Sequence, residues 1–220
     1  MNNKENTTIM LYSYWRSSAA YRVRIALNLK QLDYQTTPVH LIKNGGEQHS
    51  EAFHEMNPNE LVPVLKDGDL VLNQSMTIMD YLDETYSGHP LIPSNGEQRY
   101  TVKALAQDVA IDIHPINNLR VLQYLEQECE MTAEHKQSWY KHWIGIGFEA
   151  FETKLKHFSG LYCVGDEITL ADICLVPQVY NAIRFGVDMT PFPTIESIYE
   201  RCNQQAAFID AMPENQIDAE

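Results

Sequence analysis

The chain has 220 residues, with 16 lysines and arginines against 30 aspartates and glutamates, which gives a net charge of −14. This charge argues against binding to nucleic acid or to anionic membranes, because both need clustered cations. A hydrophobic content of 44% over this length suits one large or two small domains with sizeable cores. No apolar run approaches the roughly 20 residues that span a bilayer, and the polar start lacks a secretory signal, so we expect a cytoplasmic protein.

Strands and helices alternate over the first part of the chain. The hydrophobic pattern predicts the order β-α-β-α-β-β-α, with strands at 9–14, 34–41, 61–65 and 70–72 and helices at 17–30, 48–56 and 73–86. A parallel pair joined by a crossover helix, then a hairpin and a helix, is typical of a thioredoxin-like domain, to which we assign residues 8–88. Pro63, at the start of the hairpin, suits a cis peptide bond.

After a linker rich in turn-forming residues, the pattern becomes helical, and we assign residues 97–212 to an all-helical domain. Helices are predicted over 97–128, 133–157, 170–184 and 194–208. The first should bend or break at His114 and Pro115, because proline lacks a backbone donor. Thr169 and Asp172 resemble a capping box. The last residues, 213–220, are polar and predicted to be disordered.

The four cysteines and eight histidines show no spacing typical of a metal site. No C-x-x-C pair occurs, so neither a dithiol redox centre nor a structural zinc site is indicated. We therefore expect free thiols, as in a reducing compartment, and no bound metal.

A cluster of hydroxyls and cations stands at the start of the first predicted helix. Ser17 and Ser18 begin the helix, Arg22 follows Ser18 by one turn, and Arg24 points elsewhere and is predicted to be structural. In an acidic chain, such a cluster after the first strand is typical of a binding site for a small anion. From the residues alone, helix capping is the favoured role of the serines, and stabilisation of a bound thiolate or carboxylate is the alternative.

Two further segments offer groups for a peptide-like ligand. A cis proline exposes the main chain of Val62, which can pair with an extended ligand as an added strand. Gln74 and Ser75 stand between a strand and a helix, where Ser75 is the expected N-cap and the helix start can bind a carboxylate. For this last pair, turn and cap chemistry alone is the favoured interpretation.

Five segments resemble, in order, the zeta-class glutathione transferases. They are SSAAYRVRIALNLK, NPNELVPVL, LNQSMTIMDYL, YCVGDEITLADICLVPQV and NAIRFGVDMTPFPTI, and the first is similar to the class fingerprint S-S-C-x-x-R-V-R-I-A-L. The resemblance runs through nearly the whole chain. It implies the glutathione transferase fold, a homodimer, glutathione as cofactor and a small dicarboxylate as substrate.

The resemblance also implies roles for individual residues. Ser17, with Ser18 beside it, is the hydroxyl that stabilises the glutathione thiolate. Further contacts with glutathione are implied for Gln48, Val62, Gln74, Ser75, His114 and Asn118. Substrate carboxylates are expected to bind Arg22, Arg120 and Arg184.

The chain departs from the class at three positions. Ala19 stands where many members have cysteine, so Ser17 carries more of the stabilisation of the thiolate. His114 stands where animal members have glutamine. Glu60 stands where some members have a lysine near glutathione, which removes one possible charge contact.

The reaction that the resemblance implies is glutathione-dependent cis–trans isomerisation of maleylacetoacetate to fumarylacetoacetate, in tyrosine and phenylalanine breakdown. Three alternatives stay open. They are isomerisation of maleylpyruvate in gentisate breakdown, conjugation or dehalogenation by a general zeta-class transferase, and a non-enzymatic binding protein whose thioredoxin-like half acts as a docking surface.

Overall fold

The chain divides into two units in a computed structural model that describes residues 8–220. The first unit combines the residues up to Pro90 with Gln205–Glu220, and the second is Leu91–Gln204. The second unit therefore ends at Gln204 and not at residue 212 as predicted, because the residues that follow pack on the first unit. Within the described residues, no helix is both long enough and apolar enough to cross a membrane.

The first unit contains a four-stranded sheet in the order β2-β1-β3-β4. Its strands are β1 Ile9–Ser13, β2 Tyr34–Pro38, β3 Val64–Asp67 and β4 Leu70–Asn73. β1 is parallel to β2, and β3 is antiparallel to both β1 and β4. The predicted order of elements is confirmed, and so is the cis peptide bond between Val62 and Pro63.

Three helices connect these strands: α1 Ser18–Leu29, α2 Glu51–Met56 and α3 Ser75–Thr85. Short 3-10 turns at Lys43–Gly45 and Glu47–His49 precede α2. α1 is buried along most of its length and packs against α3. Its apolar side chains form a large part of the core of this unit.

The end of the chain completes the first unit. The short helix α10, Ala206–Ile209, packs on α1, and Asn28 Nδ2 donates to the Ala207 carbonyl at 3.0 Å. Farther on, the Trp15 N–H donates to the Asp218 carboxylate at 3.0 Å. The expectation that residues 213–220 are disordered is therefore wrong.

Arg24 connects three parts of the first unit. Its side chain is fully buried, and its guanidinium donates to Ser13 Oγ at 3.1 Å, to the Trp15 carbonyl at 3.1 Å and to the Ala211 carbonyl at 3.0 Å. These acceptors belong to β1, to the loop before α1 and to the C-terminal segment. Burial lowers the pKa of Arg24 to about 10, which still leaves it cationic at neutral pH. The prediction that Arg24 is structural is confirmed.

The second unit is helical, as predicted. Its helices are α4 Glu97–Gln107, α5 His114–Ile116, α6 Leu119–Gln127, α7 Ala133–Phe158, α8 Leu170–Arg184 and α9 Pro193–Cys202. α8 is buried on nearly all sides and packs against both α4 and α9, so it is the central helix of this unit.

The predicted capping box at the start of α8 is present. The Asp172 carboxylate accepts from the Thr169 N–H at 2.8 Å, from Thr169 Oγ1 at 2.9 Å and from the Cys163 N–H at 2.8 Å. Burial raises the pKa of Asp172, and these hydrogen bonds oppose that effect by favouring the ionised form. The carboxylate thus fixes both the start of α8 and the segment before it.

The helix predicted over 97–128 is interrupted over several residues. A π-helical turn at Asp108–Ile113 precedes α5, and α6 has a new N-cap at Asn118. Pro115 lacks the N–H of a regular helix and its ring crowds the preceding turn, so a wider turn accommodates it. Trp139 Nε1 donates to the Ile116 carbonyl at 3.1 Å, which fixes the end of α5 to α7.

Replacing Arg24 by lysine should lower the free energy of unfolding by about 2–4 kcal/mol. The lysine keeps the charge, but a single ammonium cannot reach all three acceptors, so at least one buried oxygen loses its donor. Urea denaturation followed by circular dichroism measures the effect. Arg120→Lys, at an exposed position, is the control and should change stability by less than about 0.5 kcal/mol. An equally small loss in Arg24→Lys would contradict the prediction.

Candidate active site

Ser17 is the N-cap of α1, as the capping interpretation predicts. Its backbone is extended, with φ −71° and ψ 114°, and its Oγ accepts from the Ala20 N–H at 3.2 Å. A hydroxyl accepts through a lone pair and can still donate its own proton. The two roles that the sequence presents as alternatives are therefore compatible in one side chain. Ser17 is partly exposed, whereas Ser18 is buried.

The start of α1 is electrostatically suited to an anion. The first turn of this helix contains no acidic residue, so no side-chain carboxylate offsets the positive end of the helix dipole there. Arg16 is exposed beside Ser17, with its guanidinium carbon 4.0 Å from the centre of the Trp15 ring. A thiolate next to Ser17 Oγ would be stabilised by this positive potential and by the hydroxyl donor.

Arg22 connects α1 to the start of α3. Its side chain is only 1% exposed, and its Nη1 donates to Ser75 Oγ at 3.3 Å. Ser75 is the first residue of α3, and the N-cap position belongs to Gln74, so the expectation that Ser75 is the N-cap is wrong by one residue. The contact of Arg22 with a substrate carboxylate stays a prediction.

Gln74 has a strained backbone directly before α3. Its φ of 67° lies in a region that non-glycine residues seldom occupy, and its side chain makes no capping hydrogen bond. Such strain costs about 1–3 kcal/mol and is concentrated at ligand sites. The N–H groups of the first helical turn and the nearby charge of Arg22 favour a carboxylate at this place.

Val62 offers its main chain to a ligand. It directly precedes the cis proline, and within residues 8–220 neither its N–H nor its C=O has a hydrogen-bond partner. A main-chain donor and acceptor on one residue can pair with an extended peptide.

Gln48 contributes a buried acceptor. The residue is 8% exposed, and its Nε2 lies 2.9 Å from His49 Nε2 and 3.5 Å from the Leu41 carbonyl oxygen. Its Oε1 is buried and has no hydrogen-bond partner among residues 8–220. Such a carbonyl oxygen is costly unless a bound molecule donates to it. Gly46, with φ +101°, allows this placement, because a Cβ there would lie 2.5 Å from Gln48 Nε2.

Three predicted residues of the second unit lie together at the interruption between α4 and α6. His114 is in α5, and Asn118 caps α6 by accepting from the Arg120 N–H at 3.2 Å. Asn118 Nδ2 lies 3.5 Å from His114 Nε2. The side chain of Arg120 is exposed.

Arg184, at the end of α8, lines a cleft of about 420 Å³ within the second unit. Its guanidinium carbon lies 4.5 Å from the centre of the Phe185 ring. Lys136 and Tyr140 of α7 also line the cleft, and burial raises the pKa of Tyr140. No motif in the sequence marks these two residues of α7, so their place in the cleft is not predictable from the sequence. Lys136 is ion-paired with Glu126, so Arg184 is the cation that, with the apolar walls of the cleft, suits a small carboxylate.

The chain matches models of two known domains. Residues 11–90 match the glutathione S-transferase N-terminal domain, and residues 147–206 match the C-terminal domain. A maleyl pyruvate isomerase, described as a bacterial glutathione S-transferase in zeta class, has a solved structure with a TM-score of 0.93 and 43% sequence identity. The alignment covers 96% of this chain and 100% of that one. The chain belongs to the zeta class of glutathione S-transferases.

Other zeta-class relatives are also similar over their full length. A Vibrio cholerae protein named "Probable maleylacetoacetate isomerase" is 58% identical over 212 residues, which cover 96% of this chain and 99% of the relative. The structure of maleylacetoacetate isomerase from Methylobacterium extorquens AM1, with bound malonate and GSH, has a TM-score of 0.92 at 37% identity, covering 96% and 99% of the two chains. The predicted fold, a thioredoxin-like domain followed by an all-helical domain, is confirmed.

Removing the cap of α1 should destabilise this zeta-class chain moderately. We expect Ser17→Ala to lower the free energy of unfolding by about 1 kcal/mol, and Ser17→Asp to recover most of the loss because aspartate caps helices as well as serine does. Urea denaturation of the two variants beside the wild type measures both effects. Unchanged stability of Ser17→Ala would show that the hydrogen bond from Ala20 contributes little.

Proposed function

We propose that this zeta-class chain is a glutathione-dependent isomerase that converts maleylacetoacetate to fumarylacetoacetate, in the breakdown of tyrosine and phenylalanine. The observation that carries the proposal is Ser17, whose hydroxyl caps α1 and can still donate its proton beside the positive end of that helix. The full-length similarity to a relative named as this isomerase supports the choice of substrate. We propose further that the enzyme acts in the cytoplasm as a homodimer.

The first unit has the groups that glutathione requires. Ser17 would donate to its sulfur, the Val62 main chain would pair with its peptide backbone, and the buried Gln48 Oε1 would accept one of its N–H groups. The start of α3, with Ser75 and Arg22, would bind a carboxylate. Bound glutathione supplies a thiolate that adds reversibly to a conjugated double bond, which allows that bond to rotate.

Ser17 carries the stabilisation of the thiolate. A donated O–H hydrogen bond favours the charged form of the sulfur and so lowers the pKa of the thiol. Ser18 is buried and Ala19 has no polar side-chain atom, so among residues 17–19 the partly exposed hydroxyl of Ser17 is the side-chain donor that a ligand can reach. The cysteine found here in other class members is therefore dispensable for the proposed chemistry.

Cations of the second unit would bind the substrate. Arg184 lines the cleft together with Lys136, and the fork of its guanidinium matches a carboxylate. Arg120 is a further exposed cation, close to His114 and Asn118 along the chain. A short dicarboxylate needs such fixed cations, because both of its charges lose water on binding.

Maleylpyruvate is the second candidate substrate, since a solved relative with a TM-score of 0.93 is a maleylpyruvate isomerase. Both compounds are short, acidic and conjugated, so the same residues suit either. The ratio of kcat/KM for the two substrates decides between them.

Purified protein should convert maleylacetoacetate to fumarylacetoacetate only when glutathione is added. Ser17→Asp, which keeps the helix cap, should lower kcat/KM by about 100-fold or more, because it replaces the donor to the thiolate by a negative charge. Absorbance assays of the isomerisation measure both. Conversion without glutathione, or full activity of the folded Ser17→Asp variant, would contradict the proposal.

Removing the charge of Arg184 should weaken substrate binding selectively. We expect Arg184→Ala to lower kcat/KM for the dicarboxylate by about 10- to 100-fold, since it removes a charged hydrogen bond, and to leave KM for glutathione within about 2-fold. Lys156→Gln removes an exposed cation of α7 outside the cleft and is the matched control for net charge. An equal loss in both variants would exclude a specific contact at Arg184.

A further inference from the structure

His49 lies between Glu60 and Gln48. Its Nδ1 is 2.6 Å from Glu60 Oε2, and its Nε2 is 2.9 Å from Gln48 Nε2. The other oxygen of the same carboxylate, Oε1, is 2.8 Å from His54 Nδ1. Glu60 thus binds two imidazoles, and of these two His49 is the one in contact with Gln48.

The carboxylate determines which nitrogen of His49 carries the proton. Hydrogen bonds from His49 and His54 lower the pKa of Glu60, so at neutral pH it is ionised and can only accept. His49 Nδ1 must therefore donate to Glu60. In the neutral ring, Nε2 then has a lone pair and accepts from a neighbouring group.

This tautomer also determines the orientation of the Gln48 amide. Because His49 Nε2 is an acceptor, Gln48 must direct its NH₂ group to His49, where the two nitrogens are 2.9 Å apart. Its oxygen must then occupy the buried position that has no partner among residues 8–220. Without His49, the amide could turn over and exchange an acceptor for a donor at that position, because its oxygen and nitrogen are nearly equal in size.

Glu60 also joins two parts of the site along the chain. It has a φ of +55°, its N–H donates to the Asn57 carbonyl at 2.9 Å, and it stands two residues before Val62. The bond from His49 to Glu60 therefore ties the turn that carries Gln48 to the segment that carries Val62. Glu60 thus makes a contact between these segments at the position where some class members have a lysine.

We propose that His49 is a positioning residue which, together with Glu60, fixes the Gln48 amide so that its oxygen accepts an N–H group of bound glutathione. This inference rests on the proposed function, since glutathione is the ligand. It predicts that His49 acts through Gln48 and touches neither the sulfur of glutathione nor the substrate.

His54 provides a matched control for His49. The two side chains are 56% and 55% exposed, and both bind the Glu60 carboxylate. At about pH 8, where imidazoles are ordinarily neutral, we expect His49→Ala to raise the Kd of glutathione about 3- to 10-fold. His54→Ala should change it less than about 2-fold. Calorimetric titration of glutathione into each variant and the wild type measures the difference.

The ring nitrogens of His49 give a second readout that does not involve glutathione. Nitrogen-15 NMR of the free wild-type protein should show the proton on Nδ1, and Glu60→Ala should remove this preference. A merely structural role of His49 in packing would not require that tautomer.

The possible failures are distinguishable. Suppose that the wild type binds glutathione. If His49→Ala and His54→Ala then change the Kd of glutathione equally, or if His49 of the wild type carries its proton on Nε2, the positioning role is overturned and the proposed function stays intact. A wild type that does not bind glutathione would overturn both.

Discussion

The buried guanidinium of Arg24 fixes the backbone on which the site depends. It donates to Ser13 at the end of β1 and to the Trp15 carbonyl, two residues before Ser17. The Ser17 hydroxyl caps α1 only if this loop holds its extended backbone at the helix start. A cation with no part in the proposed chemistry therefore determines where the hydroxyl stands. Arg22, two residues earlier, has a different role, since it donates to Ser75 at the start of α3.

The fold follows largely from local signals in the sequence. Alternating strand and helix patterns, the proline of the hairpin and the capping box before α8 each involve neighbouring residues, so each can be predicted from a short window. The end of the chain cannot be predicted in this way. Residues 213–220 are polar and carry no pattern, and their order comes from partners such as Trp15, which lies about two hundred residues earlier. The π-helical turn before α5 is also beyond prediction from a short window, since Pro115 predicts that the helix is interrupted but not over how many residues.

The candidate site can be predicted from sequence only where its residues stand in a recognisable motif. Ser17, Val62 and Ser75 stand in segments that resemble the zeta class. Without that resemblance, helix capping would be the favoured role of Ser17, and stabilisation of a thiolate would be only an alternative. His49 and Glu60 form no motif, and their contact depends on how two turns meet in space. The proposed acceptor role of Gln48 depends in turn on a proton on the neighbouring ring, which no spacing in the sequence encodes. Residues that belong to a class motif can be identified from the sequence. The residues proposed to orient them, such as His49 and Glu60, can be identified only from the structure.

The first unit is completed by residues that are translated after the whole second unit. Arg24 lacks one of its three acceptors until Ala211 has been synthesised, and Trp15 lacks its carboxylate partner until Asp218 has followed. Domains generally fold as units, and N-terminal ones first, during synthesis. Here the N-terminal unit stays unfinished while the whole helical unit is translated, because Ala211 and Asp218 follow that unit in the chain. The loop before Ser17 therefore gains its last hydrogen-bond partners only after the second unit has been translated.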